Sequence, residues 1–286
     1  MSSRPSLIKL SILAVFGLVS ILVWLTVINP REEFLIVSFL DVGQGDAIHI
    51  ETPDGLEVLI DGGASASVLR ELAVGRSFFD REIDLVIATH PDADHVGGLV
   101  DVLERYRVNN ILITEVDHNT PVTAAFDNSI TKESGIEIVY AEAGQEILLG
   151  DFVSLSILSP RGDTSNWKSN NASIITKLSY GEIDFMLTGD ASSMIEDYLV
   201  GYYGSGLQSE VLKLGHHGSK TSTSEIFLEA VSPSITVVSA GKDNRYGHPS
   251  DEVVERVSEY GADILSTAES GTIVFKSDGK EVWLVD

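Results

Sequence analysis

The sequence predicts an α/β chain. Residues 33–286 are expected to form a four-layer α/β/β/α sandwich, and residues 1–32 a cytoplasmic tip followed by one transmembrane helix. Three observations predict this. An uncharged apolar run occupies residues 10–28, strand-like runs lead and helical patterns follow in both halves of the body, and His and Asp gather in short loops directly after β-type runs.

The apolar run from Leu10 to Ile28 carries no charge and, as a helix rising ~1.5 Å per residue, matches a hydrocarbon layer of ~30 Å. Arg4 and Lys9 precede it, whereas Arg31 is followed at once by Glu32 and Glu33. The positive-inside bias therefore puts the N-terminus in the cytoplasm and the body outside the cell membrane. The run exceeds the ~7–15 apolar residues of a secretory signal, and Leu25 to Pro30 offers no small-x-small cleavage site. An uncleaved anchor is the expectation.

In the body, three strands are expected at Phe34–Leu40, Asp46–Glu51 and Leu56–Asp61, separated by Gly43-Gln44-Gly45 and Pro53-Asp54-Gly55, as an antiparallel meander. Ser67–Val74 reads as helix and Ile83–Thr89 as a buried strand. Val96–Tyr106 is amphipathic, with Val96, Leu99, Val100 and Leu103 at helical spacing. Short strands follow at Ile111–Thr114, Ile136–Tyr140 and Val153–Leu158, with a helix near Val122–Lys132. The second half repeats the theme. Strands at Ala172–Tyr180 and Ile183–Thr188 flank Gly181, then come a helix from Ser192, strand Glu210–Leu214, helix Ser222–Ala230, strand Ile235–Ser239, helix Pro249–Tyr260 and a strand pair around Asp278-Gly279.

Composition narrows the chemistry. An apolar fraction of 43% with 22% charged residues is that of a globular chain rather than a disordered one. The absence of cysteine excludes disulfides, thiol nucleophiles and Cys-ligated metals, leaving His, Asp, Glu, Ser and Lys. A net charge of -24 argues against long-range capture of a polyanion by the whole molecule, so a phosphate substrate needs a local basic site or metal ions.

Of seven histidines, five fall in three loops after β-type runs: His90 and His95, His216 and His217, and His248. Asp92 and Asp94 share the first loop, and Asp190 closes another strand. Imidazoles and carboxylates at neighbouring strand ends are a metal-ligand pattern, because divalent ions take neutral His nitrogen and anionic oxygen. His49, in a strand, and His118, in a polar loop, read as structural or surface residues.

These loops resemble the metallo-β-lactamase superfamily. The chain has Leu59-Ile60-Asp61-Gly62-Gly63, His90-Pro91-Asp92-Ala93-Asp94-His95, Thr188-Gly189-Asp190 and Gly215-His216-His217-Gly218. With Asp41-Val42-Gly43-Gln44-Gly45-Asp46 and Tyr246-Gly247-His248-Pro249, the set is similar to the hydrolase domain of ComEC-type DNA-uptake competence proteins. Two departures from the superfamily are visible. Asp92 replaces the second signature His, a substitution shared with the ComEC-like members, and Asn170 and Asn171 stand where a later ligand His is absent.

The resemblance implies two divalent ions, zinc or manganese, that activate water for attack on phosphorus or carbonyl carbon. One would draw on His90, Asp92 and a later His, the other on Asp94, His95 and His248, with Asp190 bridging. Spacing leaves open which of His216 and His217 is the ligand; the working assignment is His216 to metal and His217 as proton donor. Asp94, Asp190 and His217 are then the candidate catalytic groups. Asp61 and Asp41 are candidate supports, and Asn171, Ser219, Lys220 and Lys242 candidate substrate contacts. Lys213, Lys220, Lys242 and Arg245 form a local basic excess near the last loops.

The expected activity is that of a phosphodiesterase or nuclease acting on extracellular DNA, with a separate DNA-translocation pore as partner. The alternatives are a phosphocholine, lipid-headgroup or nucleotide phosphodiesterase, a lactamase-like hydrolase, and a non-catalytic metal- or DNA-binding component.

Overall fold

The computed structural model describes residues 7–28, 34–74, 81–133 and 135–285. The chain divides into two compact units, Met1–Glu33 and Phe34–Asp286. In the first, α1 (Leu7–Ile28) is a helix of 22 residues that covers the apolar run. Among the described residues no helix is long and apolar enough to cross a membrane, so the expected transmembrane span is not shown. The charges used to orient it, Arg4, Arg31, Glu32 and Glu33, lie outside the described residues.

The second unit holds two sheets. The elements of its first half are β1 (Leu35–Phe39), β2 (Ile48–Glu51), β3 (Glu57–Ile60), α2 (Ser67–Leu72), β4 (Glu82–Ile87), α3 (Ala93–Arg105), β5 (Arg107–Ile113), α4 (Pro121–Lys132) and β6 (Glu137–Tyr140). They are followed by β7 (Glu146–Leu149), β8 (Val153–Ser159), β9 (Ile175–Tyr180), β10 (Ile183–Leu187), α5 (Ser193–Tyr203), β11 (Val211–Lys213), α6 (Glu225–Val231) and β12 (Ile235–Val238). The chain closes with α7 (Asp251–Tyr260), β13 (Asp263–Ser266), α8 (Thr267–Ser270), β14 (Ile273–Ser277) and β15 (Val282–Val285).

The strand orders are β15-β14-β1-β2-β3-β4-β5-β6 and β13-β12-β11-β10-β9-β8-β7. In the first sheet the meander β1-β2-β3 is antiparallel and β3 to β6 are parallel. In the second, β7 to β10 are antiparallel and β10 to β13 parallel.

Period-two alternation builds the layers. On β3, Val58 and Ile60 join the core between the sheets while Leu59 packs with the helices outside. Phe39, Phe275 and Phe185 meet edge to face at 5.9 Å at each step, a geometry worth about 0.5–1.5 kcal/mol per pair beyond burial. Outside the first sheet, Val86 and Ile111 pack with Val96, Leu99, Leu103 and Phe126. Outside the second, Met186 and Leu212 pack with Ile195, Leu199, Phe227 and Val257. The four-layer α/β/β/α order is thus present in the second unit.

Several expectations shift. β7 and β13 were not anticipated, because the outer strand β7 shows mostly exposed or half-buried residues and β13 carries no strong apolar alternation. β5 starts at Arg107, its polar Asn109 and Asn110 held by Glu82 and by Asp84 O. Residues 169–172 form a 3-10 turn rather than the start of β9. The terminal pair β14-β15 crosses back to the first sheet beside β1.

Candidate metal centre

Ligand-bearing loops in α/β sheets leave the carboxyl ends of parallel strands, and here both sheets supply them. β3 leads to Asp61, β4 to His90 and the N-terminus of α3, β10 to Asp190, β11 to His216 and His217, and β12 to the loop carrying His248. The Asp61-Gly62 turn meets α3 backbone to backbone: a Cβ on Gly98 would sit 2.0 Å from Gly62 O. Only glycine at both faces lets His95 reach Asp61. Asp61, His216 and His217 adopt left-handed φ values of 59°, 49° and 56°, conformations that turn each loop sharply toward the site at local cost.

Three buried imidazoles are oriented from behind. His95 Nδ1 lies 2.7 Å from Asp61 Oδ2. His90 Nδ1 lies 3.0 Å from Thr89 Oγ1, which donates to the same Asp61 Oδ2 at 2.6 Å. His217 Nδ1 lies 2.9 Å from Ser239 O and 3.3 Å from Asp46 Oδ1. With Nδ1 engaged, the Nε2 atoms of His90, His95 and His217 point forward, buried and without hydrogen-bond partners. They converge on Asp190, whose Oδ2 is 3.3 Å from His95 Nε2, 3.4 Å from His217 Nε2, 3.7 Å from His216 Nε2 and 3.9 Å from His90 Nε2. Asp94 Oδ2 stands 3.4 Å from His217 Nε2, and Asp92 Oδ2 3.7 Å from His90 Nε2.

The electrostatics follow from this crowding. Burial opposes ionisation of Asp190, but His217 and His95 hold its carboxyl well below the usual range. Burial works against a charge on His95 and His217, yet Asp190 with Asp61 raises the first, and Asp190 with Asp46 raises the second to about 10. Burial, with the neighbouring His95, depresses His90 to about 3. Convergent buried imidazole nitrogens and ionised carboxylates are what a divalent cation satisfies, displacing the protons that His95 and His217 otherwise hold. His90, His95 and Asp190 form one compact donor set and Asp94, His95 and His217 another, with donor atoms within 4.8 Å of one another in each.

Of the residues singled out from sequence, His90, Asp92, Asp94, His95, Asp190, His216 and His217 come together. The two members of the His pair sit differently: His217 is buried in the knot, whereas the His216 side chain is 30% exposed, beside Thr221 and Asn170. His248 lines the same pocket, of about 300 Å³, but its ring adjoins His216 at 5.6 Å and Tyr246 at 5.9 Å. Asp61 supports His95 and His90 as described. Asp41 accepts from Gly43 N and so shapes its own loop; Asp46 at the end of that loop reaches the imidazoles.

The expected substrate contacts are not gathered at the pocket. Asn171 accepts from Ser192 Oγ, and its neighbour Asn170 lines the pocket instead. Ser219 is buried against Thr221, Lys220 is exposed away from the lining, and Lys242 borders an adjoining cavity with His248. Lys213 is no surface cation. It is fully buried, its Nζ 2.6 Å from Asp46 Oδ2 and bonded to the carbonyls of Gly189 and Leu214.

His118, read as a surface residue, lies with Nε2 3.5 Å from Asp92 Oδ1. The sequence reasoning also missed Asp46, Gln44 and Tyr246. The Gln44-Gly45-Asp46 run carried the signal: Gly45 has a φ of 117° and no room for a Cβ beside Asp94 O, which seats Asp46 behind the site.

Residues 40–242 match the metallo-beta-lactamase superfamily. The chain is 29% identical over 257 residues to ComE operon protein 3 of Bacillus subtilis, covering 84% of this chain and 33% of that protein. It is 31% identical over 240 residues to competence protein ComA of Neisseria gonorrhoeae, covering 84% and 32%. With recombination protein 2 of Haemophilus influenzae it shares 31% over 242 residues, covering 83% and 28%. The chain spans about a third of the length of these curated relatives. Among solved structures, CmlA, a diiron beta-hydroxylase from Streptomyces venezuelae, superposes with a TM-score of 0.53 at 14% identity, covering 90% of this chain and 55% of that one. That likeness is one of fold.

Proposed function

The chain belongs to the metallo-β-lactamase superfamily and resembles the hydrolase domain of ComEC-type competence proteins, and from that premise we propose that it is a metal-dependent phosphodiesterase acting on DNA. The observation that carries the reading is the set of three buried imidazoles, each tied at Nδ1 and each presenting an unpartnered Nε2 to Asp190. Donors suffice for two ions: His90, His95 and Asp190 on one side, Asp94 and His217 on the other, with Asp92 at the lip. The share of carboxylate oxygen suits manganese as well as zinc. Bound there, such ions supply Lewis acidity and water acidic enough to lose its proton near neutral pH.

The chain's own residues do the rest. Asp61, Thr89 and Asp46 keep the three rings in one orientation. His216 is the imidazole with access to a leaving group; its Nε2 faces the pocket beside Asn170, and burial keeps its pKa below the ordinary value. Neutral at rest, it relays a proton from water to the departing oxygen, the role first given to His217. At the rim, Arg245 stands 4.9 Å over the Tyr246 ring and pairs with no carboxylate among the described residues, which suits a phosphate flanking the scissile one.

The relatives' names place them in competence and recombination, which supports DNA over other diesters. In this reading α1, whose sequence is apolar from Leu10 to Ile28, anchors the hydrolase at the outer face of the cell membrane, and a separate DNA-translocation pore is the partner. The test uses the full chain loaded with manganese or zinc, assayed on single- and double-stranded DNA and on bis-p-nitrophenyl phosphate beside His95→Ala. DNA cleavage lost in the variant and with chelator is expected. Turnover of the small diester with DNA untouched points instead to a lipid-headgroup or nucleotide diester. Turnover of β-lactams alone overturns the phosphodiesterase.

A further inference from the structure

The molecule is strongly acidic, yet one exposed face concentrates aromatic rings around a cation. On α5, Met194, Tyr198 and Tyr202 stand at successive i, i+4 positions and are 60%, 48% and 57% exposed. The Tyr198 and Tyr202 rings are near parallel, 24° apart, with centroids 6.2 Å apart, and Tyr203 meets Tyr202 edge-on at 4.7 Å. The Arg161 guanidinium lies 4.5 Å over the Tyr202 ring. No carboxylate pairs with Arg161 among the described residues; its guanidinium hydrogen-bonds the Tyr203 side chain, which holds it over the Tyr202 ring with its charge unneutralised. The nearby acids are turned elsewhere: Glu142 accepts from Gly162 N, Asp163 from Ser165 N and Asp197 from Ser224 Oγ.

Two chain segments connect this face to the candidate metal centre. α5 starts three residues after Asp190, so at ~1.5 Å per residue Tyr198 and Tyr202 lie about 8 and 14 Å along the helix from its start. The loop that begins at Arg161 passes exposed Lys168, also without an ion-pair partner among the described residues, and ends at Asn170 on the pocket. Rings and cations therefore form a track leading away from the site.

We propose that Tyr198, Tyr202 and Arg161 form a docking platform for single-stranded nucleic acid, on which bases stack while Arg161 and Lys168 meet the phosphates. The proposal rests on the phosphodiesterase reading and adds how that site tells a single strand from a duplex. Stacked rings with interleaved cations suit unpaired bases, whose faces a duplex hides. A polyanion repelled by the chain's net charge of -24 settles where cations lack acidic partners. An apolar protein or lipid partner would have no use for two cations that lack acidic partners among the described residues.

The test is fluorescence anisotropy of the full chain with 5′-labelled oligothymidylate in chelating buffer, where no strand is cut. The single strand is expected to bind more tightly than the same length of duplex. The double variant Tyr198→Ala/Tyr202→Ala should bind at least about tenfold more weakly, with Tyr202→Phe near the unsubstituted chain. Arg161→Gln should flatten the salt dependence by about one phosphate contact. Circular dichroism melts confirm that the variants fold. Unchanged affinity in the folded double variant overturns the platform, as does equal affinity for duplex or a stronger preference for anionic vesicles. The phosphodiesterase reading is scored apart, by bis-p-nitrophenyl phosphate turnover in the unsubstituted metal-loaded chain.

Discussion

Asp61 Oδ2 sits 2.7 Å from His95 Nδ1 and accepts from Thr89 Oγ1 at 2.6 Å, so one buried carboxylate fixes His95 directly and His90 through the threonine. Asp61→Asn keeps the volume and tolerates the left-handed φ of 59° but offers one acceptor in place of two. Metal affinity should fall about 10- to 100-fold with little change in fold. Competition against a coloured chelator measures it, and an unchanged affinity would remove Asp61 from the support of the site.

Lys213 and Asp46 form a fully buried ion pair at 2.6 Å. Lys213→Met removes the nearest cation facing Asp46 and leaves the carboxylate to His217 and His95, a change that costs up to about 3–5 kcal/mol. Denaturant unfolding should show that loss. A drop under ~1 kcal/mol, the size of an exposed pair, would show that Asp46 is not held by the lysine.

His217 should release its proton when metal enters. Burial opposes its charge, but Asp190 and Asp46 raise its pKa to about 10, so the metal-free chain keeps the proton at neutral pH. That raised pKa contributes stability present below pH ~6.5 and lost as pH climbs toward 10. A ligand imidazole must be neutral, so apparent metal affinity should rise with pH, about tenfold per unit for each proton displaced. Calorimetry in buffers of different ionisation enthalpy counts the protons; no release would contradict the assignment of His217 as a ligand.

Glu196 offers a pH signature away from the candidate ligands. Burial lifts it to about 7, although Thr223 N and Ser224 N donate to its two oxygens. The folded pKa lies above the unfolded one, so the contribution of this group to stability is fully present below pH ~4.5 and is lost as pH rises through 7, by roughly 3 kcal/mol at most. In Glu196→Gln that slope should disappear over the same window, as thermal melts from pH 4.5 to 7.5 would show. A parallel slope in both proteins would exclude Glu196 as its source.

The parts of the fold legible in sequence were those with a strong period. The meander, α3, and the strand-to-helix steps around His90 and Asp190 fall within two or three residues of their places. The outer strand β7, mostly exposed or half-buried, has too little buried surface to leave a pattern. At the site, loop residues declared themselves by type, so the His and Asp of residues 90–95 were readable. What stayed hidden was direction. Lys213 reads as a surface cation until its strand is seen to bury it. Spacing cannot say which of two adjacent histidines turns inward, because two successive left-handed residues decide it. Asp46 and Asp41 likewise differ only in which end of one loop points at the imidazoles.

His90, Asp92, Asp94 and His95 ride on one sheet, and Asp190, His216, His217 and His248 on the other. An ion held by donors from both is a cross-link between layers that otherwise adhere through apolar side chains. It exists only when the two sheets are in register, so its binding energy is added to folding, about 4 kcal/mol at a thousandfold excess over the dissociation constant. Metal supply in its surroundings would then govern the lifetime of this chain as well as its turnover.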